Sequence, residues 1–147
     1  MNWNRDRSVA LSKICVAVFA VLLAALDVGG WWVARAFARL GDLSSLVALL
    51  IVLYLCSVFA WITLARLWRL LSNLGRSRVF EAENTGHLRA VSWCCFGVGA
   101  VCLAGGARYL PLLLPAVAAA FMGLIVRIVK NVFEHAIAMK SELDLTV

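Results

Sequence analysis

The chain has 147 residues, 64% of them hydrophobic and 15% charged, and a formal net charge of +6. Soluble domains carry roughly 45–50% apolar and about 25% charged residues, and a chain this short leaves too much surface exposed to hide such an apolar excess. The composition therefore excludes an ordinary soluble domain. It indicates an integral membrane protein whose basic residues flank the spans and contact anionic lipid headgroups.

Four apolar runs predict four transmembrane helices, each near the ~20 residues that cross the hydrocarbon core. The short segments between the first and second runs, and between the third and fourth, predict two hairpins joined by a longer elbow. We expect an all-α integral membrane four-helix bundle in one domain, residues 1–147. The expected spans are 12–34, 43–66, 89–107 and 110–129, with a connector at 67–88 and a tail at 130–147.

The first run has two features of a cleaved signal peptide, a basic start and the small-x-small pattern "ARA" at 34–36. Its length and the pair Trp31 and Trp32 at its end are typical instead of a span with an interfacial aromatic belt. We expect that this run is retained as the first helix.

The basic residues predict the orientation. With four spans, both termini and the connector share one side, which carries all but three of the 14 Lys and Arg residues. By the positive-inside rule, that side is cytoplasmic, so both termini are expected inside the cell. The three exceptions are Arg35, Arg39 and Arg108.

Two helices are expected to continue beyond the membrane into the cytoplasm. Leucines recur at helical spacing after the second span as far as "SNLGRS", and a new helix is expected just after Phe80. In the fourth helix, Lys130 and Glu134 form an expected i,i+4 pair on the wet face. A helix over 110–141 would be roughly 45–50 Å long, against about 30 Å of hydrocarbon.

Small residues recur in the third and fourth spans, where they allow close helix approach in lipid. They serve either packing within one chain or a homo-oligomer interface. The five cysteines lie in apolar runs without CxxC spacing, so we interpret them as packing residues, with a redox or metal role as the alternative. They are Cys15, Cys56, Cys94, Cys95 and Cys102.

Asp27 is the one acid inside a predicted span. Intramembrane acids are costly and are therefore candidates for function. One interpretation makes Asp27 a proton or cation site paired with Arg108 across the bundle. The other has it reach water at the outer interface, because it lies one turn before Trp31.

The sequence contains no Gly-rich phosphate loop, HExxH or GxSxG. His87 and Cys94 lie seven residues apart but are too few for a metal site, so His87 is interpreted as a solvated helix residue. We expect no enzymatic activity, no catalytic residues, no cofactor and no metal. The connector arginines are interpreted as headgroup contacts, since no module for direct nucleic-acid binding fits here.

The end of the chain, "ELDLTV", places Leu143, Leu145 and Val147 at every second position, so an extended strand would present them on one face. That face either packs back between the projecting helices or engages another protein by strand addition or groove insertion.

"RVFEAENTGHLR" at 78–89 and "ELDLTV" at 142–147 together resemble the bacterial membrane family catalogued as domain of unknown function (DUF) 2975. The resemblance implies a four-span protein of the bacterial inner membrane without established catalytic residues. Members often resemble partners of small helix-turn-helix regulators encoded beside them. The motif positions are Phe80, Asn84, Leu88 and Arg89 after the second span, and Asp144, Leu145, Thr146 and Val147 at the end.

We therefore predict a non-enzymatic inner-membrane protein that docks a soluble cytoplasmic partner, such as a small helix-turn-helix transcription regulator. The predicted docking face combines the motif around residues 80–89, the extended fourth helix and the tail. The alternative is a small transporter or channel subunit that uses Asp27.

Overall fold

The computed structural model describes residues 3–39, 43–76 and 80–146. Its described residues form helices and no strands: α1 (Trp3–Ala38), α2 (Leu43–Gly75), α3 (Ala82–Gly106), a short 3-10 turn (Leu110–Leu112) and α4 (Leu113–Leu145). All four α-helices are long and apolar enough to cross a membrane. The predicted all-α class and the four apolar helices are confirmed.

Each helix packs on the one that follows it in the chain. In each pair of neighbouring helices, the contacting residues rise in number along one helix while they fall along the other, so successive helices are antiparallel. Among the described residues, α1 makes close backbone contact with α2 alone, and α4 with α3 and the 3-10 turn. The expected bundle is therefore an open row, with α2 and α3 in its middle. The pairs that define the register are Val9 with Gly75, Gly30 with Leu53, Phe59 with Gly97, Cys56 with Cys102, Ala116 with Gly99, and Leu113 with Gly106.

The interior of this row is thin and made largely of small side chains. Large apolar residues point outward on every helix, with Val28 86% and Leu114 83% exposed. In water such surfaces would be unfavourable, whereas lipid solvates them, and helix association then depends on packing and polar links. The buried apolar side chains are Ala34, Leu46, Leu88, Val91, Cys94, Cys102 and Ala116.

Glycines bring α3 and α4 close together. A Cβ placed on Gly99 would lie 3.3 Å from the carbonyl oxygen of Ala116, and one on Gly123 would lie 3.2 Å from Cβ of Cys95. The side chain of Ser92 adds a polar link, since its hydroxyl donates to the carbonyl of Gly123 over 3.0 Å. These small residues therefore serve packing within the chain.

α1, α2 and α4 are longer than the membrane is thick, and α4 continues past the level at which α3 begins. α2 and α4 each have 33 residues, about 50 Å at 1.5 Å per residue, against roughly 30 Å of hydrocarbon. The antiparallel order brings the start of α1, the end of α2, the start of α3 and the end of α4 to the same end of the row. We call this the terminal end.

The expectation of an extended tail is wrong for the residues that the structure describes there. α4 remains helical as far as Leu145, so Leu143 and Leu145, two positions apart, point to different sides of the helix. Thr146 ends the helix: its hydroxyl donates to the carbonyls of Glu142 and Leu143, at 2.9 and 3.0 Å. Val147 lies outside the described residues.

Candidate functional site

A polar link joins α2 to α3 at the terminal end. Asn84 is completely buried, and its Oδ1 accepts a hydrogen bond from Nδ2 of Asn73 over 3.1 Å. Its backbone N–H also donates to the carbonyl of Glu81 over 3.0 Å and helps to start α3. Leu88, one turn later, is only 7% exposed. These two motif residues lie inside the protein, so in this structure they hold helices together and present no surface to a partner.

A second polar link lies one turn deeper. His87 is 4% exposed; its Nδ1 lies 3.4 Å from NH1 of Arg66, and its Nε2 lies 3.4 Å from Oε1 of Glu83. Because a guanidinium can only donate, Nδ1 is the acceptor; Nε2 is enclosed and forms no hydrogen bond among the described residues. The expectation that His87 is solvated is wrong.

Helical spacing is the signal that could have revealed both links. Asn84 and His87 fall on the same stripe as Leu88 and Val91, which face the interior. A polar residue on a buried stripe must find a hydrogen-bond partner, and α2 offers Asn73 at the matching level.

The remaining motif residues face outward and meet α4. Phe80 is 46% exposed, and Nζ of Lys140 lies 5.8 Å from the centre of its ring. Arg89 lies 3.9 Å from Glu134, which also pairs with Lys130 over 3.2 Å, as the i,i+4 spacing predicts. The exposed Arg89–Glu134 pair contributes little stability. These contacts nevertheless show that the start of α3 lies beside the projecting part of α4.

An apolar stripe runs along the outer face of that projecting part. Val132, Met139 and Leu143 are 60%, 64% and 68% exposed, and their spacing places them on one side of the helix. We call these three residues the α4 stripe. Asp144 and Leu145 are exposed beyond it. Exposed apolar patches outside lipid are typical of protein interaction sites.

Asp27 faces α2. Nε1 of Trp61 donates to Oδ2 of Asp27 over 2.9 Å, and the hydroxyl of Tyr54 donates to its backbone carbonyl over 3.3 Å. Asp27 is thus held against Tyr54 and Trp61 of α2. The interpretation that pairs Asp27 with Arg108 does not fit the structure, because Arg108 is exposed and forms no ion pair with Asp27 among the described residues.

The acid borders an apolar cavity. A space of about 430 Å³ lies between α1, α2 and the start of α4. Ser57, one turn before Trp61 and 6% exposed, lines it, as do Cys56 and Cys102, whose sulfurs are 3.7 Å apart. The rest of the lining is mostly apolar, and all five cysteines are free. Among the described residues, no three His, Cys, Asp or Glu side chains come together as metal ligands.

Four apolar antiparallel helices, cross-linked near one end by buried Asn and His side chains, define a small multi-pass membrane protein. The family profile described as "Protein of unknown function (DUF2975)" matches residues 31–147. The chain belongs to this family, as the motifs at 78–89 and 142–147 indicate. No curated protein and no solved structure matches the chain.

Proposed function

We propose that this protein is a non-enzymatic component of the bacterial inner membrane that docks a soluble cytoplasmic partner. In this proposal the four helices form two hairpins, and the terminal end, with both chain termini, lies in the cytoplasm. The charge distribution supports this orientation, because all but Arg35, Arg39 and Arg108 of the 14 basic residues belong to the terminal-end side of the sequence.

The observation that carries the docking proposal is the α4 stripe. From Leu110 to Arg127 the chain advances 17 residues, about 26 Å, which uses most of the hydrocarbon thickness. Val132, Met139 and Leu143 therefore project beyond the lipid while remaining at least 60% exposed. Apolar residues at this spacing form the face that packs into a groove or against a helix of another protein.

A small helix-turn-helix regulator is the concrete partner that we propose. Such a protein is built from short helices, which match a helical stripe by ridge-and-groove packing. Tethering would keep the regulator at the membrane through docking alone. Release in response to a signal would in addition require a ligand or membrane state that favours one conformation of the helix row over another.

Replacing Met139 by Glu is expected to abolish most partner capture. A carboxylate at the centre of an apolar interface removes an anchoring contact of about 2 kcal/mol or more, which corresponds to roughly 30-fold weaker binding. The measurement is recovery of a helix-turn-helix protein, identified by mass spectrometry, on the tagged full-length chain in detergent.

The matched control is Ala138→Glu, which adds the same charge at the next position on a different side of the helix. Capture should remain with this variant, and it should decrease when residues 141–147 are deleted, because that deletion removes Leu143. Equal capture by the parent chain and Met139→Glu would remove the α4 stripe from the proposal. Inverted membrane vesicles should bind the captured regulator and intact spheroplasts should not.

Transport through Asp27 is a second candidate, and one observation favours it. Oδ1 of Asp27 is enclosed, and a carboxyl group enclosed within a span is a candidate for binding a proton or cation. Against it stands the mainly apolar cavity beside the acid, since transport pathways are lined by polar groups or water.

Proton or cation flux into proteoliposomes containing the full chain distinguishes the two functions. Transport requires flux that Asp27→Asn reduces at least tenfold, because the amide does not titrate. Docking instead predicts flux at the level of empty liposomes and partner capture within twofold of the parent for Asp27→Asn. Flux that depends on Asp27 would establish the transport function.

A further inference from the structure

A basic cleft opens between α3 and α4 near the terminal end. It has a volume of about 260 Å³ and is lined by Arg89, Ser92, Trp93, Arg127 and Lys130. Sites for whole drug-sized ligands are typically ~300–1,000 Å³, so this cleft suits a small charged group better than a complete large ligand.

The charge of the cleft is only partly compensated. Lys130 pairs with Glu134 over 3.2 Å, and Arg89 lies 3.9 Å from the same carboxylate. Arg127 forms no ion pair within the described part of the chain. The hydroxyl hydrogen of Ser92 is directed to the carbonyl of Gly123, so the cations are the groups available to an incoming anion. Three cations facing one carboxylate favour a ligand that carries negative charge.

Helix lengths would place the cleft at the headgroup boundary of the membrane. The 19 residues from Arg89 to Arg108 along α3 correspond to about 28 Å, and the 17 from Leu110 to Arg127 to about 26 Å. Both distances are close to the ~30 Å thickness of the hydrocarbon core. If Arg108 and Leu110 mark the opposite surface, the three cations of the cleft are level with lipid phosphates.

Each helix places an exposed apolar side chain one turn deeper than its cation. On α3, Trp93 follows Arg89 by four residues and is 63% exposed; on α4, Leu124 precedes Arg127 by three and is 52% exposed. Because the helices are antiparallel, both apolar residues lie on the membrane side of the cleft. A ligand with an anionic head and an apolar tail would contact both the cations and the deeper apolar side chains, whereas free phosphate would contact only the cations.

We propose that the cleft formed by Arg89, Ser92, Trp93, Arg127 and Lys130 binds the phosphate of an anionic glycerophospholipid, whose acyl chains lie against Trp93 and Leu124. Bidentate geometry makes arginine suited to phosphate, and basic pockets between transmembrane helices suit anionic headgroups. This inference is independent of the proposed docking function, since it uses a different face of α4.

Quenching of Trp93 by brominated lipid tests the proposal. The full chain is placed in phosphatidylcholine nanodiscs containing increasing fractions of phosphatidylglycerol brominated on its acyl chains. We expect more quenching than with brominated phosphatidylcholine at the same fraction, and we expect this excess to disappear in Trp93→Phe. Loss of one basic group near lipid weakens headgroup binding about fivefold, so Arg127→Gln should raise the half-saturating fraction of phosphatidylglycerol by about that factor.

Two variants control for charge and folding. Arg69→Gln removes one exposed charge from the same side of the protein but outside the cleft, and should change the half-saturating fraction less than twofold. Arg127→Lys keeps the charge but loses the bidentate fork, so it should raise the half-saturating fraction by less than Arg127→Gln does.

Equal quenching by the two brominated lipids, or equal weakening in Arg69→Gln and Arg127→Gln, would overturn the proposal. Removal of the excess quenching by millimolar inorganic phosphate at constant ionic strength would assign the cleft to soluble phosphate and would likewise overturn the lipid assignment.

Discussion

Replacing Asn84 by Leu is expected to lower the free energy of unfolding by about 2–4 kcal/mol. The substitution leaves the half-buried amide of Asn73 without its acceptor, which costs about 1 kcal/mol, the low end of the range for a buried polar group. It also forces a larger side chain into a completely enclosed position, and overpacking adds typically 1–3 kcal/mol. The site tolerates this change poorly because it lies where α2 and α3 are held together by few other polar contacts.

The measurement is unfolding in mixed micelles titrated with sodium dodecyl sulfate and followed by circular dichroism. Asn131→Leu is the matched control: it makes the same chemical change at an exposed position of α4 and is expected to stay within about 0.5 kcal/mol. If Asn84→Leu were as stable as Asn131→Leu yet lost partner capture, Asn84 would be a contact residue for the partner and its role in helix packing would be refuted.

Replacing Gly99 by Leu is expected to cost about 3 kcal/mol or more, at the upper end of the range for overpacking. Already the first added carbon would lie 3.3 Å from the carbonyl oxygen of Ala116 and 3.5 Å from the backbone nitrogen of Ala120. These are backbone atoms, so they cannot move aside as a side chain can. The remaining three carbons of Leu can be accommodated only by separating α3 from α4.

Ala100→Leu is the control, because Ala100 is the next residue along α3 and is exposed. A larger apolar side chain there faces lipid and should change stability by less than about 0.5 kcal/mol. The same detergent titration compares the two variants, and analytical ultracentrifugation reports their oligomeric state. A stable Gly99→Leu protein that had only lost self-association would show that the small residues form a homo-oligomer interface and not the α3–α4 contact.

The number of helices and their approximate limits could be derived from the sequence, because in lipid each segment must form its own backbone hydrogen bonds. A segment in hydrocarbon must satisfy its backbone hydrogen bonds internally, so a long apolar run becomes a helix whatever its neighbours are. The Lys130–Glu134 pair is predictable for the same reason, since its spacing belongs to one helix. Family membership followed from two short motifs whose residues are adjacent in the chain.

The partners of the polar residues could not be derived in this way. Asp27 bonds to Trp61 and not to Arg108, and His87 is buried between Arg66 and Glu83. Both outcomes depend on the rotation of each helix about its axis and on the register between neighbours. In lipid, hydropathy says little about helix rotation and register. An apolar side chain is about equally favourable at a helix–helix contact and facing the lipid.

The amino-acid sequence alone determined that this is a four-helix membrane protein with its basic residues concentrated on one side. Tertiary structure decided which candidate docking residues remain accessible: Asn84 and Leu88 are enclosed, whereas Phe80, Arg89 and the α4 stripe are exposed. The physical reason is that secondary structure in lipid follows from backbone hydrogen bonding within each segment, while exposure follows from which helix faces meet. Those faces are selected by the close approach at Gly99 and Gly123 and by the Asn73–Asn84 link.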